Sequence, residues 1–200
     1  MRIGLFGGTF DPIHAGHLRV ADAARESLRL DSVVFIPAGR PWLKADSDVS
    51  QPEHRLAMVE LAVECHPNFE VSRVELDRPG PTYTVDTLEQ IRRDLAPEDE
   101  LFLILGMDSL RELPRWSRPV RLFELCTVVG MSRPGYEDVA LSWLDEVAEG
   151  ASHRVELVRG PLVSVSGSEI RERLGKGQPV GHWMPEAVSA YILEHGLYRS

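Results

Sequence analysis

Six short apolar segments rich in Val, Ile, Leu and Phe recur along this 200-residue chain, with amphipathic stretches between them. The candidate strands are residues 2–6, 32–37, 69–75, 100–105, 126–131 and 154–158. Across residues 16–30, Leu18, Ala21, Ala24 and Leu28 fall at three- and four-residue spacing, which predicts a helix with one apolar face. Residues 52–65, 84–95, 119–125 and 139–147 read the same way. Strands that are apolar along their whole length, alternating with helices, bury both faces of a parallel sheet. The expected fold class is therefore α/β, a doubly wound parallel sheet of Rossmann-like kind.

After residue 165 the pattern changes. Residues 166–175 read as a helix start and 176–184 as a connector containing Gly and Pro. Pro185 and Glu186 suit the first turn of an apolar helix that runs to His195, and Gly196 ends it. With no long linker and no internal repeat, a single domain over 1–200 is expected, its C-terminal helical part being 166–200. The longest irregular stretch, 38–51, is polar and proline-bearing, and loops of that length usually carry function.

Several function classes are disfavoured. No apolar run approaches the roughly 18 residues that span a bilayer. The first residues lack the basic, apolar and small-residue succession of a signal peptide. Cys65 and Cys126 stand apart and fit neither a disulfide framework nor a metal knuckle, so a cytoplasmic location is expected. A formal net charge of −9 argues against nucleic acid as the main partner. It leaves room for a locally positive nucleotide site.

Ligands of open parallel sheets bind outside the carboxyl ends of the strands, near a topological switch point. The first strand here runs into Gly7-Gly8-Thr9-Phe10-Asp11-Pro12-Ile13-His14-Ala15-Gly16-His17. The two glycines let backbone N–H groups approach a phosphate closely. Neither G-x-x-x-x-G-K-[ST] nor G-x-G-x-x-G is present, which disfavours a P-loop or an ordinary dinucleotide dehydrogenase. Instead His14 and His17 flank Ala15-Gly16 just where a helix begins. The positive end of the helix dipole favours anions there, and either imidazole is able to carry charge near neutral pH. An isolated H-x-x-H reads as surface histidines; after a strand and a double glycine it reads as a phosphate grip.

This segment resembles the signature of the cytidylyltransferase-like nucleotidyltransferases and, among them, of the bacterial nicotinate-nucleotide adenylyltransferases. The resemblance continues in order along the chain. Val165-Ser166-Gly167-Ser168-Glu169-Ile170-Arg171 is similar to the family's I-S-S-T-x-I-R helix start, with Gly167 in place of a hydroxyl. Ser166 and Glu169 also have capping-box spacing, which is compatible with phosphate binding. Ile36-Pro37-Ala38-Gly39-Arg40-Pro41-Trp42-Leu43-Lys44 resembles I-P-x-G-x-P-P-H-K, with Leu43 where the family has histidine. Gly80-Pro81-Thr82-Tyr83-Thr84-Val85-Asp86-Thr87-Leu88 is similar to P-S-Y-T-x-D-T-L. Gly106-Met107-Asp108-Ser109-Leu110 followed by Trp116 resembles G-x-D-S-L…W, and Arg133-Pro134-Gly135 and the tail 188–198 complete the series.

The resemblance implies transfer of AMP from ATP to nicotinate mononucleotide, giving nicotinate adenine dinucleotide and pyrophosphate in NAD biosynthesis. It implies catalytic roles for His14, His17, Lys44 and Arg171. ATP is expected on Gly7, Gly8, Thr9, Phe10, His14, His17, Gly106, Asp108, Ser166, Ser168 and Arg171. The acceptor is expected on Thr84, Trp116, Ser117 and Arg133, with Trp116 flat against its pyridine ring, and the tail helix is expected to pack. Mg²⁺ is expected to bridge ATP phosphates, with no protein cage for a metal. The partners expected are small molecules, and a homo-oligomer is compatible with the chain. Nicotinamide mononucleotide or 4′-phosphopantetheine as acceptor, and a nucleotide sensor without turnover, are the alternatives.

Overall fold

A computed structural model describes residues 1–39, 49–132, 140–162 and 165–199. Six parallel strands form one sheet: β1 (Arg2–Gly8), β2 (Ser32–Pro37), β3 (Phe69–Val71), β4 (Glu100–Gly106), β5 (Thr127–Ser132) and β6 (Val155–Arg159). Their order is β3-β2-β1-β4-β5-β6, so the strand order reverses direction between β1 and β4. The helices are α1 (Ala15–Leu28), α2 (Pro52–Val63), α3 (Thr84–Arg93), α4 (Met107–Arg111), α5 (Pro119–Leu125), α6 (Gly167–Gly175) and α7 (Glu186–Glu194). The doubly wound α/β fold is the one that the alternation of strands and helices requires.

Side-chain alternation along β1 sorts the two cores. Phe6 belongs to a cluster with Ala21 and Ala24 of α1, Met58 and Val59 of α2, Ile170 of α6 and Val188 and Ile192 of α7. Ile3 and Leu5 point the other way, into a cluster with Val85 and Leu88 of α3, Leu110 of α4 and Leu122 of α5. The C-terminal helices thus share a core with α1 and the sheet. Ala21, Ala24 and Leu28 are buried as their spacing predicts, while Leu18 is only partly covered.

Two expected elements are shorter than their apolar patterns. The strand expected over 69–75 stops at Val71: Ser72 N–H still donates to Phe35, but a turn closes from Arg73 to Leu76 (2.8 Å) and Asp77 (3.0 Å). The apolar residues of that turn, Val74 and Leu76, do not continue the ladder. The helix expected over 139–147 is a short 3₁₀ turn, Ser142–Glu146, beginning after a stretch outside the described residues.

Candidate active site

Strand pairing itself opens the site. β1 stays paired with β2 as far as Gly8↔Pro37, but with β4 only as far as Leu5↔Leu103. β4 meanwhile continues along β5 to Gly106↔Met131. Beyond Leu5 the sheet parts at its switch point, where this class of fold takes its ligands. A cavity of ≈ 200 Å³ lies there, lined by Gly7, Gly8 and Thr9 from the β1 end, by Thr84, and by Ser109 and Trp116.

The two histidines stand at the head of α1, which follows β1, and are not among the residues that line the cavity. His14 is the N-cap of α1, in extended conformation, and is buried. Its backbone N–H donates to Nδ1 of His17 at 3.2 Å, so a neutral His17 carries its proton on Nε2 and presents that N–H as a donor. The imidazoles stack with centroids 3.7 Å apart and planes at 21°. Phe10 sits edge-on to His17 at 5.1 Å and is itself buried, so its ring buttresses the histidine.

Burial pushes the His14 imidazole down to about 4, so it is neutral at pH 7, contrary to the expectation that either histidine carries charge there. The unfolded chain, with a histidine near 6.5, binds more protons than the folded one between pH 4 and 6.5. Stability therefore rises with pH through that window and is lost on acidification, by roughly 3 kcal/mol from this residue. Urea unfolding of wild type and His14→Leu at pH 4.5 and 7 checks this sign. The difference in stability between the two pH values should be smaller in the variant, and equal differences would remove His14 as its source.

The second jaw is α6. Ser166 caps it, its Oγ accepting from the Glu169 N–H at 3.2 Å, so the capping role is realised. Arg171 reaches across to the β1–α1 turn: Nη1 donates to the Asp11 carbonyl (2.6 Å) and Nη2 to Ser168 Oγ (3.4 Å). The departure at Gly167 has a local reason, since a Cβ there would lie 3.3 Å from the Asp11 carbonyl oxygen. The glycine lets the head of α6 come up against the turn.

Across the split, Thr84 opens α3 and shares the cavity with Trp116. Among the described residues, two buried side-chain nitrogens lack a hydrogen-bond partner: His14 Nδ1 and Trp116 Nε1. Buried polar atoms are nearly always paired, and these two belong to the two sides of the split. Ser117 follows Trp116 but is not among the residues that line the cavity. Gly106 caps α4, and Asp108 in its first turn is exposed, 3.9 Å from Arg111. Lys44 and Arg133, with Trp42 and Leu43, lie outside the described residues.

Other residues carry the site without a motif to announce them. Glu75, buried, lines the cavity and accepts from Thr87 Oγ1 at 2.9 Å. The residue Arg118 ion-pairs with Asp86 and Glu89 of α3, tying the segment after Trp116 to the helix that Thr84 begins. Arg55 is almost wholly buried and donates to the carbonyls of Thr9 (2.8 Å), Ser50 (3.0 Å) and Gly39 (3.4 Å). A charged residue three, four and seven positions before the core residues Met58, Val59 and Ala62 was the available sign that Arg55 faces inward.

The cytidylyltransferase-like family model matches residues 5–173. A probable nicotinate-nucleotide adenylyltransferase of Thermus thermophilus is 50% identical over 199 residues, covering 100% of each chain. One from a Roseiflexus species is 48% identical over 197 residues, covering 98% of each. The fold is similar to that of Plasmodium falciparum nicotinic acid mononucleotide adenylyltransferase complexed with NaAD, with a TM-score of 0.78 at 20% identity over 98% of this chain and 97% of that one. With the split sheet, the stacked histidines and these full-length relatives together, the chain belongs to the cytidylyltransferase-like family, among its nicotinate-nucleotide adenylyltransferases.

Proposed function

We propose that this chain transfers AMP from ATP to nicotinate mononucleotide, releasing pyrophosphate and forming nicotinate adenine dinucleotide for NAD biosynthesis. The observation that carries this reading is the pairing of two unlike recognition surfaces across one split in the sheet. The stacked histidines and Arg171 suit a triphosphate, and the cavity bearing Trp116 and Thr84 suits a flat ring with an acidic substituent. First-turn N–H groups of α3 favour a carboxylate over an amide, and Asp86 in that turn is neutralised by Arg118.

In this reading a phosphate oxygen of the acceptor attacks the α-phosphorus of ATP in line. The bond from that phosphorus to the bridging oxygen breaks, and pyrophosphate leaves with the electron pair. The nucleophile is an anion near pH 7, so the chemistry needs no general base, and alignment with charge neutralisation does the catalytic work. His17 Nε2–H serves the α-phosphate; His14, Lys44, Ser168 and Arg171 serve the departing phosphates. Gly7, Gly8 and Thr9 offer backbone to the nucleotide, Gly106 and Asp108 its ribose side, and Ser117 and Arg133 complete the acceptor site. Triphosphate bound beside His14 favours the imidazolium and draws a proton onto it. A Mg²⁺ ion arriving with the triphosphate would supply further neutralisation of the departing phosphates, with no cage of protein ligands holding it among the described residues. One domain acting on small molecules in the cytoplasm fits the shared core and the lack, among the described residues, of any helix long and apolar enough to cross a membrane.

Pyrophosphate release from ATP, measured with nicotinate mononucleotide, nicotinamide mononucleotide or 4′-phosphopantetheine, tests the reading. The nicotinate compound should be preferred in kcat/KM by at least about tenfold. Equal use of the amide would remove the acidic preference, and release with phosphopantetheine alone would overturn the acceptor class. Trp116→Ala should raise the KM for the mononucleotide roughly tenfold while that for ATP moves by less than about twofold. Parallel rises in both constants would take the ring off Trp116.

A further inference from the structure

The tail beyond α7 does more than pack. Tyr198 sits in the left-handed region at φ 62°, a conformation that costs a tyrosine energy and persists where the surroundings hold it. In that conformation its hydroxyl donates to Asp11 Oδ1 at 2.5 Å, across 187 residues of sequence. Asp11 is buried, three positions before His14, and its other carboxylate oxygen accepts the Ser50 N–H at 3.3 Å. Both oxygens of a buried carboxylate are thus bonded, as burial of a charge requires.

The same short turn is held at two further points by arginines, Arg55 on the Thr9 carbonyl and Arg171 on the Asp11 carbonyl. Tyr198 adds a bond to the one side chain of the turn that is itself charged and buried. Burial, and then the Asp11 carboxylate beside it, push the phenol upward, so the hydroxyl remains a donor across the working pH range.

We propose that Tyr198 is a positioning residue for the transfer reaction: through the Asp11 carboxylate it fixes the turn that presents His14 and His17 to the triphosphate. The proposal rests on the phosphate-binding role given to that turn above. A loosened turn displaces His17 Nε2 from the α-phosphate without removing any group that touches it, and displacements of that kind are costly in catalysis.

The test uses the full chain and three readouts: pyrophosphate release, ATP affinity by calorimetry, and amide hydrogen exchange of residues 9–14. Tyr198→Phe should lower kcat/KM for ATP about tenfold, quicken exchange in the turn, and lower Tm by only about 2–4 °C. Leu197→Ala, which removes packing from the same tail, should lower Tm by a similar amount and leave kcat/KM within about twofold. An unchanged kcat/KM in Tyr198→Phe overturns the proposal, whatever its exchange. So does an equal loss of rate in Leu197→Ala, since the tail would then act only through stability. Were the wild-type chain to release no pyrophosphate, the functional reading would fall by itself. ATP affinity and exchange then decide the positioning role, and unchanged values in Tyr198→Phe overturn it.

Discussion

His17→Ala should lower turnover by about 10²–10³-fold while the fold persists. The expectation follows from how the ring is held. His17 is the third residue of α1, its Nδ1 is engaged by the His14 N–H, and its faces and edges meet His14, Phe6 and Phe10. Such a ring is fixed before substrate arrives, so in the proposed role its Nε2–H would be worth most as charge builds on the α-phosphate. Because the donor is Nε2, glutamine should restore more activity than asparagine, whose amide nitrogen falls nearer the Nδ1 position. Circular dichroism and Tm would show the fold retained. Turnover near wild type in His17→Ala, or better rescue by asparagine than by glutamine, would refute the assignment.

How much of this was legible beforehand depended on whether a residue's role is local. The doubly wound parallel sheet followed from alternation, though the order of its strands did not, and Gly7 to His17 read as a candidate phosphate grip because glycines, histidines and a helix start are adjacent in sequence. Ser166 and Arg171 were legible for the same reason, one turn of helix apart. Glu75 was not, because the apolar pattern of 69–75 continues past Val71 where the chain has already turned and carried Glu75 to the cavity. The neutral state of His14 was hidden too, since it follows from burial in the folded chain, which spacing does not report. Asp11 stood inside the best motif, yet its partners Ser50 and Tyr198 are 39 and 187 residues away. The tail, expected only to pack, reaches the site through that one hydroxyl.

Arg55→Met is the substitution expected to cost most in stability. The two side chains have similar stems, so the change removes the guanidinium and little volume. Replacing a buried ion pair by apolar residues is often harmless because both partners leave together. Here the partners are the backbone carbonyls of Thr9, Ser50 and Gly39, which no substitution at residue 55 removes. Nearby Asp11 would also lose its cationic neighbour, one of the groups that offset the burial lowering the Arg55 pKa. Leaving these groups unpaired should cost about 3–5 kcal/mol, the usual consequence of removing one side of a buried charged contact. That is a fall of roughly 6–20 °C in Tm for a chain of this size. Arg55→Lys should fall between, because an ammonium is a single point of charge that cannot span three carbonyls in the guanidinium plane. Urea and thermal unfolding of the three proteins should rank them wild type, Lys, Met. A Met variant as stable as wild type would mean that the three carbonyls find other donors, and that the turn carrying His14 does not depend on the arginine beneath it.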